Sequence, residues 1–163
     1  FSNDNPFTDK NYKRLENTDE IDAESYYVDV YSETPSLLET KHLNPTNKPY
    51  KVMSSLLKSN CRVTSQPDWG DVFISLEGTN HPSDKEMLKY IISFRDECHF
   101  HEEICETIFT RLNDTFEPRS LMVACLYVRR GGWDINPIRT THEYLIDEFF
   151  WDHKVPWIKT LRQ

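Results

Sequence analysis

Cys61 lies in Lys58-Ser59-Asn60-Cys61-Arg62, a thiol at the end of a strand-like run with a cation on either side. Nearby positive charge favours thiolate over thiol, so this context allows a nucleophile, although an ordinary half-buried cysteine is its commoner occupant. Seven residues on, Gln66-Pro67-Asp68-Trp69 reads as a turn that returns a carboxyl group toward the strand holding the thiol, where it can pass protons. Cys98-His99-Phe100-His101-Glu102-Glu103 gathers a thiol, two imidazoles and two carboxylates at a helix start. Such a set suits an acid and a recognition carboxylate; it suits zinc poorly, because His99 and His101 stand at i,i+2 and the usual paired spacings are missing. The bland alternative is a helix start whose Glu102 and Glu103 complement the dipole. Arg129-Arg130-Gly131-Gly132 places two guanidinium groups beside a flexible backbone, apt for a phosphate or carboxylate ligand, while a solvated strand end is the plainer account. Cys105 and Cys125 fall in apolar patterns, as Cys98 does beside one, and read as small buried hydrophobes.

The elements that must position these groups follow from periodicity. Val52 to Val63 and Val72 to Leu76 read as two strands separated by the Ser65-Gln66-Pro67-Asp68 turn. Ser83 or Asp84 caps a helix that carries Met87, Leu88, Ile91 and Ile92 at helical spacing as far as Arg95. A second helix spans Phe100 to Asn113 with Ile104, Ile108 and Leu112 as its stripe, and Pro118 ends it. Leu121 to Val128 is apolar at both parities, as a central strand covered by helices on one face and a partner on the other would be; Trp133 to Ile138 resumes as a shorter strand. The order is an α+β layout with an antiparallel sheet. Tyr26 to Tyr31 is also rich in strand formers, residues 1–25 read as a polar linker or surface segment, and a boundary falls near residue 50.

The chain of 163 residues has 37% apolar and 28% charged residues, a globular composition that excludes collagen-like, low-complexity and wholly disordered classes. Its net charge of −8 disfavours bulk nucleic-acid binding. No run approaches the roughly 18 apolar residues that span a bilayer, no signal peptide is recognisable, and four cysteines without a Cys-x-x-Cys pair suit a reducing cytoplasm.

Ser59-Asn60-Cys61, Gln66-Pro67-Asp68-Trp69-Gly70, Leu88 to Arg95, Phe100-His101-Glu102 and Arg129 to Pro137, in that order, resemble the C-terminal half of the long-form QueF nitrile reductases, NADPH-dependent 7-cyano-7-deazaguanine reductases of queuosine biosynthesis, a tRNA-modification route. The resemblance runs from about Leu57 to Arg139. It implies the tunnelling fold (T-fold), a four-stranded antiparallel sheet with two helices on one face in the order ββααββ, with residues 1–50 as linker and end of a preceding domain and 51–163 as the catalytic-cysteine domain and its tail.

It further implies that Cys61 attacks the nitrile carbon to give a covalent thioimide, that Asp68 protonates nitrogen, and that His101 assists proton delivery. By the same resemblance Glu102 accepts hydrogen bonds from the guanine-like edge of the substrate, Phe100 stacks on its ring, and Arg130, with Arg129 as a weaker candidate, faces the NADPH phosphates. No metal is implied. The family's Glu-Ser-Lys-Ser cofactor motif is absent from this sequence, so the chain is expected to need an N-terminal T-fold half within a homo-oligomer, and the apolar tail from Thr141 with Trp151, Trp157 and Ile158 is expected to dock on a partner domain. The partner in chemistry is a free base, with no direct nucleic-acid contact. Two other readings stand beside this one: a non-catalytic T-fold domain binding a purine or pterin through Glu102, and a zinc hydrolase resembling GTP cyclohydrolase built on Cys98, His99 or His101.

Overall fold

Two long strands, the second of them rich in β-branched and aromatic side chains, organise the molecule, which the computed structural model describes over residues 11–19, 21, 26–46 and 48–152. They are β3 (Tyr50–Cys61) and β4 (Pro67–Glu77), preceded by the short β1 (Lys13–Arg14) and β2 (His42–Leu43) and followed by β5 (Asn80–His81). Then come α1 (Asp84–Ser93), β6 (Cys98–His99), α2 (His101–Phe116), β7 (Ser120–Tyr127), β8 (Ile138–Thr140) and α3 (Tyr144–Asp147), which runs on into a wider turn over Glu148–Asp152. The sheet runs β1-β3-β4-β7-β8; neighbours from β3 to β8 are antiparallel, while β1 and β6 pair in parallel with β3.

One irregularity decides which way the far end of β3 faces. Between the pairs Ser54↔Val72 and Leu57↔Gly70, β3 advances three residues against two on β4, the extra residue of a β-bulge. Side chains alternate with period two, so the insertion reverses parity. Val52 and Leu57 thus lie on one face of the sheet and Met53 on the other. Glu16 fills the break: its Oε1 accepts from the Ser55 amide at 2.7 Å and the Ser54 hydroxyl at 3.0 Å, and Arg14 donates to Ser55 Oγ.

Both main helices cover the face that carries Val72, Ile74, Val123 and Tyr127, packing Leu88, Ile91, Ile104 and Ile108 against it. Ser83 and Glu86 form a reciprocal cap at the start of α1. α2 begins one residue later than the pattern predicts and runs three residues further, to Phe116; Glu117 then turns left-handed at φ 44° before Pro118. On the other face the chain's own Tyr12, Leu145 and Phe149 pack on Met53, Phe73, Met122 and Leu126. Of the segment read as a linker, residues 11–19 and 21 are described, and there Tyr12 and Leu15 are buried in the core. Leu145 and Phe149 belong to the tail expected to dock elsewhere; Trp157 and Ile158 lie outside the described residues. Tyr26 to Tyr31 forms no strand and is anchored by side-chain and isolated backbone bonds instead, Tyr26 Oη to Lys85 O and Asp96 N to Tyr31 O. No helix of the described residues is long and apolar enough to cross a membrane.

Candidate active site

The turn between β3 and β4 sits earlier than the Pro-Asp signal suggests. Residues 62–65 make it, closed by Ser65 N to Cys61 O at 2.9 Å and Cys61 N to Gln66 O at 2.8 Å, with Ser65 at φ 54°. Pro67, which lacks a donor, is tolerated as the first residue of β4. Asp68 is therefore a strand residue opposite Ser59, and since Ser59 and Cys61 share a parity beyond the bulge, thiol and carboxyl face the same way. β6 completes the edge by pairing His99 with Cys61, which delivers Phe100 and the first turn of α2 beside them.

Cys61, Asp68, Phe100, His101, Glu102 and Arg130 line one cavity of about 400 Å³, with Val63, Thr64 and Ile135 at its walls. Cys61 is 8% exposed. The Thr64 hydroxyl, aided by the Thr64 and Val63 amides and by the charge of Arg130, holds its thiol below the ordinary range. Asp68, 1% exposed, accepts from Arg130 Nε at 3.0 Å and from Arg130 Nη2, and its Oδ2 lies 3.2 Å from His101 Nε2. Burial pushes the His101 imidazole below its usual value against the pull of Asp68. Its Nδ1 has no hydrogen-bond partner among the described residues. Glu102 is exposed and lines the cavity at its rim.

Sequence reasoning missed the floor of this site. The Tyr127 ring stacks on His101 with centroids 3.9 Å apart and planes 7° from parallel. Burial raises the Tyr127 phenol well above its ordinary value, with Ser59 pulling it the other way. Gly70 also borders that ring: a Cβ there would come within 3.0 Å of Tyr127 Cδ1. Gly70 stood out as part of a motif, but Tyr127 looked like one more apolar strand position, and its contact with His101 has no signature in spacing.

The two arginines part company. Arg129 is paired bidentately with Asp134 at 2.6 and 3.0 Å and is not among the residues that line the cavity. Arg130 and Trp133 close a two-residue turn by mutual backbone bonds of 3.0 Å, with Gly131 and Gly132 at φ 56° and 85°; the glycines are there for backbone conformation, since an added Cβ would meet nothing. His99 sits between Glu97 (3.0 Å) and Glu103 (3.5 Å), away from Asp68. Cys98 is exposed, unlike the buried Cys105 and Cys125, and among the described residues no three His, Cys, Asp or Glu side chains converge as a metal site.

Residues 67–145 match the family model of the QueF-like proteins. A NADPH-dependent 7-cyano-7-deazaguanine reductase of Hydrogenovibrio crunogenus is 42% identical over 129 residues, covering 78% of this chain and 45% of the relative. One of the same name from Ralstonia nicotianae is 42% identical over 147 residues, 88% of this chain and 46% of the relative. The chain thus spans a little under half the length of these relatives. Among solved structures, the archaeosine synthase QueF-Like in its apo form superposes with a TM-score of 0.51 at 16% identity, over 60% of this chain and 94% of that one, a likeness of fold.

Proposed function

We propose, for a chain whose residues 67–145 match the QueF-like family model, that it is the cysteine-bearing half of a cytoplasmic 7-cyano-7-deazaguanine reductase of queuosine biosynthesis. The observation that carries this reading is the convergence of Cys61, Asp68, His101 and Glu102 on one cavity of about 400 Å³, a size suited to a purine-like base. We read the order β3-β4-α1-α2-β7-β8 as a T-fold, with residues 51–163 as the catalytic-cysteine domain and 1–50 leading in from the remainder of a longer protein that works as a homo-oligomer.

In this reading the Cys61 sulfur attacks the nitrile carbon. A sulfur–carbon bond forms, one carbon–nitrogen π pair moves to nitrogen, and the proton given up by the thiol is balanced by the proton that nitrogen takes through Asp68. No electrons change hands in this step. Thr64 and Arg130 favour the thiolate that starts it. His101, whose Nδ1 is buried and without a hydrogen-bond partner among the described residues, is placed to deliver the later protons. Glu102 would accept from the amino and ring N–H groups of the base, and Phe100, 45% exposed at the rim, would cover its face.

The relatives' name makes NADPH the reductant, yet Arg129 and Arg130 fit a nucleotide phosphate poorly. Arg130 is paired with the buried Asp68 and Arg129 with Asp134. We assign cofactor binding to the part of the relatives that lies beyond this chain, and no step here runs through it. Steady-state NADPH oxidation driven by 7-cyano-7-deazaguanine in the full-length protein tests the reading: Cys61→Ser is expected to abolish turnover, and turnover equal to the parent's would overturn it.

A further inference from the structure

Arg130 occupies an unusual place for a residue whose sequence context points at a cofactor. Its guanidinium, 29% exposed, makes two contacts to Asp68 Oδ1. The same guanidinium lines one cavity with the Cys61 sulfur, and its charge acts on that sulfur. One cation thus pairs directly with the acid and shares a cavity with the thiol that the nitrile step uses. Asp68 is buried, so withdrawing Arg130 toward an external phosphate would leave a charged carboxylate in the protein interior without its main counter-ion. The backbone supports the fixed position: the Gly131-Gly132 turn pins Arg130 against Trp133 at the end of a two-bond hairpin.

From this geometry we propose that Arg130 is a positioning residue of the nucleophile centre, a cationic bridge that orients Asp68 and stabilises the Cys61 thiolate, and not a phosphate ligand. The inference rests on the reading of Cys61 as the nucleophile. It assigns to one guanidinium the coupling of thiol and acid: the charge that draws the sulfur toward thiolate also fixes the carboxyl that passes the proton. The charged and titratable groups around the sulfur are Arg62 next in the chain, Asp68 on β4, His99 opposite on β6, His101 and Glu102 on α2, and Arg130. Of the two cations among them, Arg130 is the one held in the cavity, whereas Arg62 is engaged by Glu103 at 2.9 Å and lies over the Phe100 ring.

The test is the pH dependence of iodoacetamide alkylation at Cys61, read by peptide mass mapping so that the exposed Cys98 is scored separately, on the full-length protein. Four proteins are compared: parent, Arg129→Gln, Asp68→Asn, and Asp68→Asn/Arg130→Gln, the last avoiding a stranded buried charge. The double variant is expected to move the alkylation midpoint upward relative to Asp68→Asn and to slow the reaction at neutral pH by about threefold or more. Arg129→Gln is expected to leave both unchanged. A parent that alkylates readily at Cys61, with the double variant titrating like Asp68→Asn, would overturn the Arg130 assignment alone. A parent whose Cys61 reacts no faster than Cys98 across the pH range would overturn the nucleophile reading and this inference with it.

Discussion

Replacing Gly70 by alanine perturbs the site without touching a titratable group. The new methyl carbon would stand 3.0 and 3.2 Å from Tyr127 Cδ1 and Cε1 and 3.2 Å from Leu126 O. Ordinary carbon–carbon contact lies near 3.5–4.0 Å, so the ring must yield by about 0.5 Å or more. It has little room: Tyr127 is fully buried and one face already meets His101 at 3.9 Å. Overpacking of this kind costs about 1–3 kcal/mol. Urea unfolding followed by far-UV circular dichroism should show that loss as a lower midpoint with an unchanged slope. The double variant Gly70→Ala/Tyr127→Leu should be less destabilised than the two single changes summed, by about 1 kcal/mol, because the ring that the methyl strikes is gone. A Gly70→Ala protein as stable as the parent, or single effects that simply add, would refute the picture of a ring packed closely against both Gly70 and the imidazole.

Arg130→Ala should cost about 3 kcal/mol in the same assay by stranding the buried Asp68 carboxylate, and Asp68→Asn/Arg130→Ala should recover most of it; equal losses in both would show that the pair is not the source. Glu16→Ala should expose the bulge donors at Ser54 and Ser55 for about 1–3 kcal/mol, seen as faster hydrogen exchange at the Ser55 amide, and exchange as slow as in the parent would remove Glu16 from that role. His101 titrates below its ordinary value in the fold, so under about pH 6.5 the unfolded chain binds a proton that the folded one refuses. Stability should therefore fall as pH drops from about 7.5 to 5.5, and fall less in His101→Gln; identical pH slopes would contradict the burial argument.

The chemistry-bearing residue types were readable because they crowd into short motifs: Cys61, Asp68, His101 and Glu102 do meet in one cavity. Their mutual orientation was not. It depends on a single extra residue near Ser55 that flips the parity of β3, and that bulge is stabilised by Glu16, a residue 39 positions away in sequence. The turn after Cys61 was placed late because Pro67 and Asp68 are strong turn formers, yet Ser65 takes the left-handed conformation and frees both for the strand. The helices were legible from their stripes. The second face of the sheet was not, since Tyr12, Leu145 and Phe149 come from segments too short or too polar to show a period. Arg130 advertised its charge, but nothing in spacing says that its partner is Asp68.

The central claim is that Cys61 is a nucleophile toward a nitrile held in this cavity. Intact-protein mass spectrometry after incubation with 7-cyano-7-deazaguanine and no NADPH addresses it directly, on this chain and on the full-length protein, each with its Cys61→Ala variant. The account predicts a gain of one ligand mass on the full-length parent and none on the variant. A full-length parent that binds the base yet shows no gain, or a gain that survives Cys61→Ala, would contradict it.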